Sequence, residues 1–319
     1  MHTRHYLIVL AALAVAAPAA AQDRRDRDRD RDRDRDHETM ATSRIDTTVS
    51  LARGGTVDLS LVSGEIVVNA GSGDRVHVRA YSERGILSFS ASPNRVSLEV
   101  RSSRGRMGDT RYEVTVPVGA RLELRAVSGD ITARGVRGEV EAATVSGDLE
   151  IVDATRIAYL ETVSGDLKGS NLSGDIRATS VSGDVDLDDV EGELEVETVS
   201  GELRLVGARA REVRTETVSG DLTYEGTLDS GGRYDFHSHS GTIELRVPAS
   251  AGGTMRVETY SGSIDSDFPM NIRPGGRIES RPKRMEFSFG NGSARITAET
   301  FSGDIMIQRV GTSNPPRDR

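Results

Sequence analysis

The chain has no cysteine and no tryptophan, and aromatic residues make up only 4% of its 319 positions. The missing cysteine excludes disulfide staples, thiolate zinc sites and a cysteine nucleophile. It also excludes a lipid-modified bacterial N-terminus, which forms on a cysteine. Without tryptophan, a core must be assembled from Val, Leu, Ile, Ala and Thr. Positive charge is short as well: the formal net charge is −9. Phosphate backbones are bound by basic surfaces, so nucleic acid is excluded as a partner. No apolar run beyond the N-terminus is long enough to cross a bilayer. What the chain does have is glycine, 34 residues of it, as expected of a backbone that turns often.

The ends differ from the middle. Residues 1–21 read as a secretory signal peptide, with Arg4 beside His2 and His5, an apolar run over 7–17, and Ala19-Ala20-Ala21 before a mature start at Gln22. The alternative, a retained anchor, is disfavoured by the shortness of the apolar run. Residues 22–44 form a spacer in which 23–36 hold seven Asp and seven Arg. With nothing apolar to bury, this segment is expected to be a disordered polyampholyte, either a tether or the product of repeat slippage. Residues 311–319, with Pro315-Pro316, read as a frayed tail.

Between these ends one tetrapeptide keeps returning: Val127-Ser128-Gly129-Asp130, then again at 145–148, 163–166, 181–184, 199–202 (with Glu202) and 218–221. Its serines are separated by steps of 18, 18, 18, 18 and 19 residues. A fixed period of this kind marks a stacked repeat. Counting from each serine, position −4 holds Leu124, Ala142, Leu160, Ala178, Val196 and Thr215. Position −6 holds Leu122, Val140, Ala158, Ile176, Leu194 and Val213, while −5 and −3 are mostly charged. This is strand alternation with one face inward. Position +3 is apolar again, from Ile131 to Leu222, beginning a second short strand. A second corner echoes the first nine residues on, at Gly138-Glu139, Gly174-Asp175 and Gly192-Glu193. Glycine permits the bend, and Ser and Asp accept local backbone hydrogen bonds. Identical positions stay in columns only if each coil stacks in parallel on the last. The expected fold is therefore all-β: a single-domain parallel β-solenoid over 45–310, about 18 residues and two short strands per coil.

Degenerate coils flank the clean ones. Leu59, Leu61, Ser63-Gly64-Glu65, Ile66 and Val68 match the template before them. After Tyr224 the spacing widens to Ser240, Ser261 and Ser302, and Tyr234, Phe236, Tyr260, Phe268, Phe287, Phe289 and Phe301 appear. These wider aromatic coils are expected to follow in chain order as a C-terminal cap on the open sheet edge. Residues 285–289 and 294–298, joined across Gly290-Asn291-Gly292, read as a hairpin-like pair.

The Val-Ser-Gly-Asp repeats behind a signal peptide, the Val116-Pro117-Val118-Gly119-Ala120 entry and the closing Phe301-Ser302-Gly303-Asp304-Ile305 resemble the bacterial putative adhesins, a β-strand repeat domain of unknown function. The resemblance covers 45–307. It implies association with the cell envelope or surface, in the periplasm, on the outer face or secreted. It carries over no catalytic residue.

Three constellations bear on chemistry. Stacking would align Asp130, Asp148, Asp166, Asp184, Glu202 and Asp221 about 5 Å apart, which makes the Asp residues calcium candidates in a calcium-stabilised β-roll. Against this, the Gly-x-Gly cradle of calcium-binding nonapeptides is missing, and an Asp that caps its own turn explains the column equally. Asp235, His237 and His239 share one strand face and offer three metal ligands, against ordinary strand residues in a degenerate repeat. No base follows the corner serines at a repeating offset, so a hydrolase triad is unsupported. The remaining expectation is a non-catalytic module without cofactor. Its flat ladders, such as Glu161, Glu197 and Glu216, would meet an envelope polysaccharide, another surface component or a second copy of the chain. The enzymatic alternative is a carbohydrate-active β-helix.

Overall fold

The computed structural model describes residues 43–102, 108–269, 271–272, 279–280, 283–290 and 292–310. By contact the chain divides into Met1–Thr39 and Met40–Arg319, and the fold below belongs to the second unit. The expected signal peptide, nearly all of the expected spacer, residues 103–107 and the expected tail lie outside the described residues. So do Gly275 and Gly276.

All described regular structure is strand, and the strands are solenoid-like in their pairing. Leu160 pairs with Ala178, Ala178 with Val196, and Val196 with Thr215, each in parallel and one repeat on. The period-two alternation puts Leu124, Ala142, Leu160, Ala178, Val196 and Thr215 in one inward column, all buried. The opposite strands stack Ile131, Leu149, Leu167, Val185, Leu203 and Leu222 in a second column, also buried. Small and branched side chains fill both columns. At about 25 cal/mol per Å² of apolar surface removed from water, such columns are the main stabilising contribution.

The N-terminal template match holds. Thr56–Gly71 stacks on Arg121–Arg134 with Ser63 opposite Ser128 and Ile66 opposite Ile131. Beyond it the stack is no longer purely parallel. Thr110–Pro117 pairs antiparallel with Arg75–Ser82, which pairs antiparallel with Ser43–Ser50, and Gly85–Ala91 forms an antiparallel pair with Arg95–Ser102. An end coil has no further copy to stack on, so the chain folds back over its own edge.

The C-terminal coils correct the expected order. Ala294–Ser302 lies between Arg233–Ser240 and Gly253–Ser261, parallel to both, with Ser302 opposite Ser240 on one side and Ser261 on the other. Ile305 likewise sits between Ile243 and Ile264. The last coil is therefore threaded between two earlier ones, and the aromatic cap lies beyond it. Lys283–Phe289 pairs antiparallel with Gly253–Ser261. Residues 285–289 and 294–298 are thus not a hairpin, because Gly253–Ser261 separates them. The reason is in the residues: Ala294–Ser302 carries the full template through Ile296, Ala298 and Thr300, and so satisfies a parallel neighbour on both edges. Phe268, Phe287 and Phe289 are buried in the cap, with Phe268 and Phe289 ring centroids 4.8 Å apart.

Candidate functional site

The corner is built from close approach. Gly165 and Gly183 have φ of 143° and 147°. A Cβ on Gly183 would overlap the carbonyl oxygen of Gly165 one coil below. Only glycine lets adjacent coils meet here. The Asp beside it acts between coils. Asp130 Oδ1 accepts the backbone N–H of Asp148 at 2.9 Å, and Asp148 Oδ1 accepts that of Asp166 at 2.9 Å. Asp166 and Asp184 continue the chain of bonds to the N–H of Asp184 and Glu202 at 3.2 and 2.8 Å. Asp221 accepts the N–H of Thr242 at 2.7 Å. Asp304 does the same for Ser263, and the hydrogen bonds from the Ser263 backbone and hydroxyl hold its carboxyl below the usual range. Each of these Asp carboxylates thus caps the next coil rather than its own turn.

Among the described residues no group of three or more His, Asp or Glu is placed to hold a metal ion. Asp235, His237 and His239 do share a face, but they separate in their contacts. His237 Nδ1 lies 3.6 Å from Glu299 Oε2, and His239 stacks on Phe301. The glutamate ladder is interrupted: Glu161 is opposite Thr179, whereas Glu197 and Glu216 are direct neighbours. Burial, and then the charges of Glu216 and Glu195, raise the Glu197 carboxyl above its ordinary value.

The corner also carries an outward apolar column at position −1. It runs through half-exposed Val145, Val163, Val181, Val199 and Val218 from Val127, which is 36% exposed. It ends in three stacked rings. His239 and Phe301 have centroids 5.2 Å apart with planes 5° from parallel, and Phe301 and Tyr260 have centroids 5.0 Å apart at 4°. Phe301 and Tyr260 are 52% and 53% exposed. The stack exists because the threaded last coil puts Phe301 between residues 239 and 260. Chain order alone places Tyr260 next to His239 and hides it.

A second irregularity lies at the other corner. Where the next two coils carry Gly174 and Gly192 at φ 115° and 121°, this one carries Arg156 at φ 137°. Holding a side-chain-bearing residue there costs about 1–3 kcal/mol. The pairing slips at the next residues, with Ile157 opposite Val140 and Tyr159 opposite Glu141. Ile157, not Ala158, is the inward residue at 2% exposure, because isoleucine fills the core where alanine leaves a gap. Beside the slip is a groove of about 730 Å³ lined by Glu139, Arg156, Ala158, Gly174, Asp175 and Glu193, among others. The signal was present in the sequence: Arg156-Ile157 interrupts the Gly-acid second corners at 138–139 and 174–175.

The family model Toastrack DUF4097 matches the chain twice, over residues 39–226 and 138–308. The chain belongs to the Toastrack DUF4097 family. Solved structures similar to it include a putative adhesin from Parabacteroides distasonis ATCC 8503, 8% identical with TM-score 0.46, covering 85% of this chain and 98% of that one. A putative adhesin from Bacteroides fragilis NCTC 9343 is 13% identical with TM-score 0.42, covering 83% and 97%. A putative lipid binding protein from Parabacteroides distasonis ATCC 8503 is 10% identical with TM-score 0.38, covering 82% and 96%. No curated protein matches the chain. No helix among the described residues is long and apolar enough to cross a membrane.

Proposed function

We propose that the protein is an exported, non-catalytic interaction module of the cell envelope, a single β-solenoid over 45–310 held behind the Arg-Asp spacer. Export rests on the reading of residues 1–21 as a signal peptide. The observation that carries the interaction reading is the exposed column at position −1, valines ending in the His239–Phe301–Tyr260 stack. Contiguous apolar surface on a soluble domain is costly to leave in water and marks contact sites. Its regular rise of about 4.8 Å per coil suits a partner that is itself extended, such as an envelope polysaccharide. The absence of catalysis is supported by the periodicity of the carboxylates, since a catalytic centre is needed once.

The test is co-sedimentation of the purified chain with envelope fractions, comparing wild type with the double variant Tyr260→Ser, Phe301→Ser. Binding by wild type and its loss in the variant are expected. Equal binding by both, or none by wild type, refutes the contact face.

A further inference from the structure

The coil between Ser146 and Ser164 lacks the outward acid that its neighbours place at the second corner. Glu139 precedes the gap in space, and Asp175 and Glu193 follow it. Ile157 occupies the equivalent position and turns inward, so the rung presents only the methyl group of Ala158. The groove of about 730 Å³ is the resulting notch. Arg156 lines it, is exposed, and forms no ion pair among the described residues. Three departures coincide here: a strained residue at a glycine position, a slipped register and an unpaired guanidinium in a groove.

We infer that this notch binds one uncharged sugar unit of an extended glycan. The inference rests on the reading of the protein as an envelope-binding module, but it uses different residues from the aromatic stack. The lining selects the chemistry. Ile157, Ile176 and Leu194 are buried, so the groove offers an apolar ligand almost nothing. What remains is five carboxylates and three guanidiniums; Arg177 is paired with Glu195 and Glu139 with Arg121, which leaves Arg156 as the guanidinium this inference uses, beside Asp175 and Glu193. Carboxylate and guanidinium are both planar groups that engage pairs of neighbouring hydroxyls, the carboxylate as acceptor and the guanidinium as donor. The excess of carboxylates disfavours an anionic ligand, and Arg156 at the notch disfavours a polycation. The groove crosses successive coils, so a ligand with hydrogen-bonding groups repeated along its length meets successive rungs.

The test is isothermal titration of the full chain with chitohexaose, with hexagalacturonate as the anionic probe and hexalysine as the cationic one. Wild type is expected to bind chitohexaose. Arg156→Gly is expected to weaken that binding about tenfold or more. Its urea midpoint should be unchanged or higher, because glycine holds the same place at Gly174 and Gly192. Ala158→Gln, which fills the notch from outside, should abolish binding. The Tyr260→Ser, Phe301→Ser variant should keep it. No binding of chitohexaose by wild type, preference for either charged probe, or unchanged affinity in both notch variants overturns the inference. Notch-dependent chitohexaose binding, with envelope binding that survives the aromatic substitutions, upholds the notch and refutes the contact face instead.

Discussion

The corner aspartates can be tested by separating their charge from their hydrogen bonding. Asp148 is the cleanest case, since Oδ1 accepts the N–H of Asp166 at 2.9 Å and its own N–H donates to Asp130 Oδ1 at 2.9 Å. Its neighbours in the column, Asp130 and Asp166, each sit one coil away. At that spacing two unit charges in water repel by about 0.8 kcal/mol, so neutralising Asp148 relieves about 1.6 kcal/mol at low salt and less at physiological salt. A hydrogen bond to a charged acceptor contributes about 1.5–3 kcal/mol and one to a neutral acceptor about 0.5–1.5 kcal/mol. Asp148→Asn keeps the acceptor and removes the charge. The weaker bond and the relieved repulsion then offset, leaving stability within about 1 kcal/mol of wild type. Asp148→Ala removes the acceptor too, and should fall about 1 kcal/mol below the Asn variant. The assay is urea unfolding of the three proteins at low and physiological salt, each with chelator and with added calcium. If Asn is as damaging as Ala, and the loss appears only when calcium is present, the carboxylates serve a cation and the inter-coil reasoning fails.

Three further outcomes follow from the packing. Gly183→Ala should destabilise by about 2–4 kcal/mol, combining backbone strain with overlap on Gly165. Gly73→Ala, at φ 132° with open space around it, should show the strain alone, and equal urea midpoints for the two would refute close approach as the reason for the glycine. Tyr234 donates to the Ala210 carbonyl at 2.6 Å and accepts from the Asp229 N–H at 2.7 Å while fully buried. Tyr234→Phe should therefore cost about 1–3 kcal/mol in denaturant unfolding, and a loss under half a kcal/mol would contradict a buried, unmet carbonyl. The Glu197 carboxyl is raised on folding, so its contribution to stability is fully present below its unfolded value of about 4.3 and is lost as pH rises through the folded one. Glu197→Gln should match wild type in acid and exceed it at neutral pH, and a variant less stable at neutral pH would reverse the assigned sign.

Much of this could be read from residue order. Alternation at Leu160, Thr162 and their equivalents sets which side chains face inward. The serine spacing sets which residues share a column, and both hold in the paired strands. The Asp column was legible as a column, but its role as a cap on the next coil was not, since a local turn accounts for Asp equally well. Arg156 was also visible, as the residue that interrupts the second-corner glycines between Gly138 and Gly174. Its meaning depends on Ile157 displacing Ala158 inward, which is a matter of core volume that no local pattern records.

The sequence by itself determined the all-β class, the 18-residue coil and the columns, because a strand's period and a glycine bend are local properties of the chain. The tertiary structure alone decided which coil neighbours which. Every copy of the template presents the same columns, so Ala294–Ser302 fits Arg233–Ser240 as well as Gly253–Ser261 does. With the pairing chemistry equal, the choice falls to the ends of the stack. There the exposed sheet edge must be covered, and burying Phe268, Phe287 and Phe289 in a cap beyond the last coil accomplishes it. The stacked rings of His239, Phe301 and Tyr260 are the consequence of that choice.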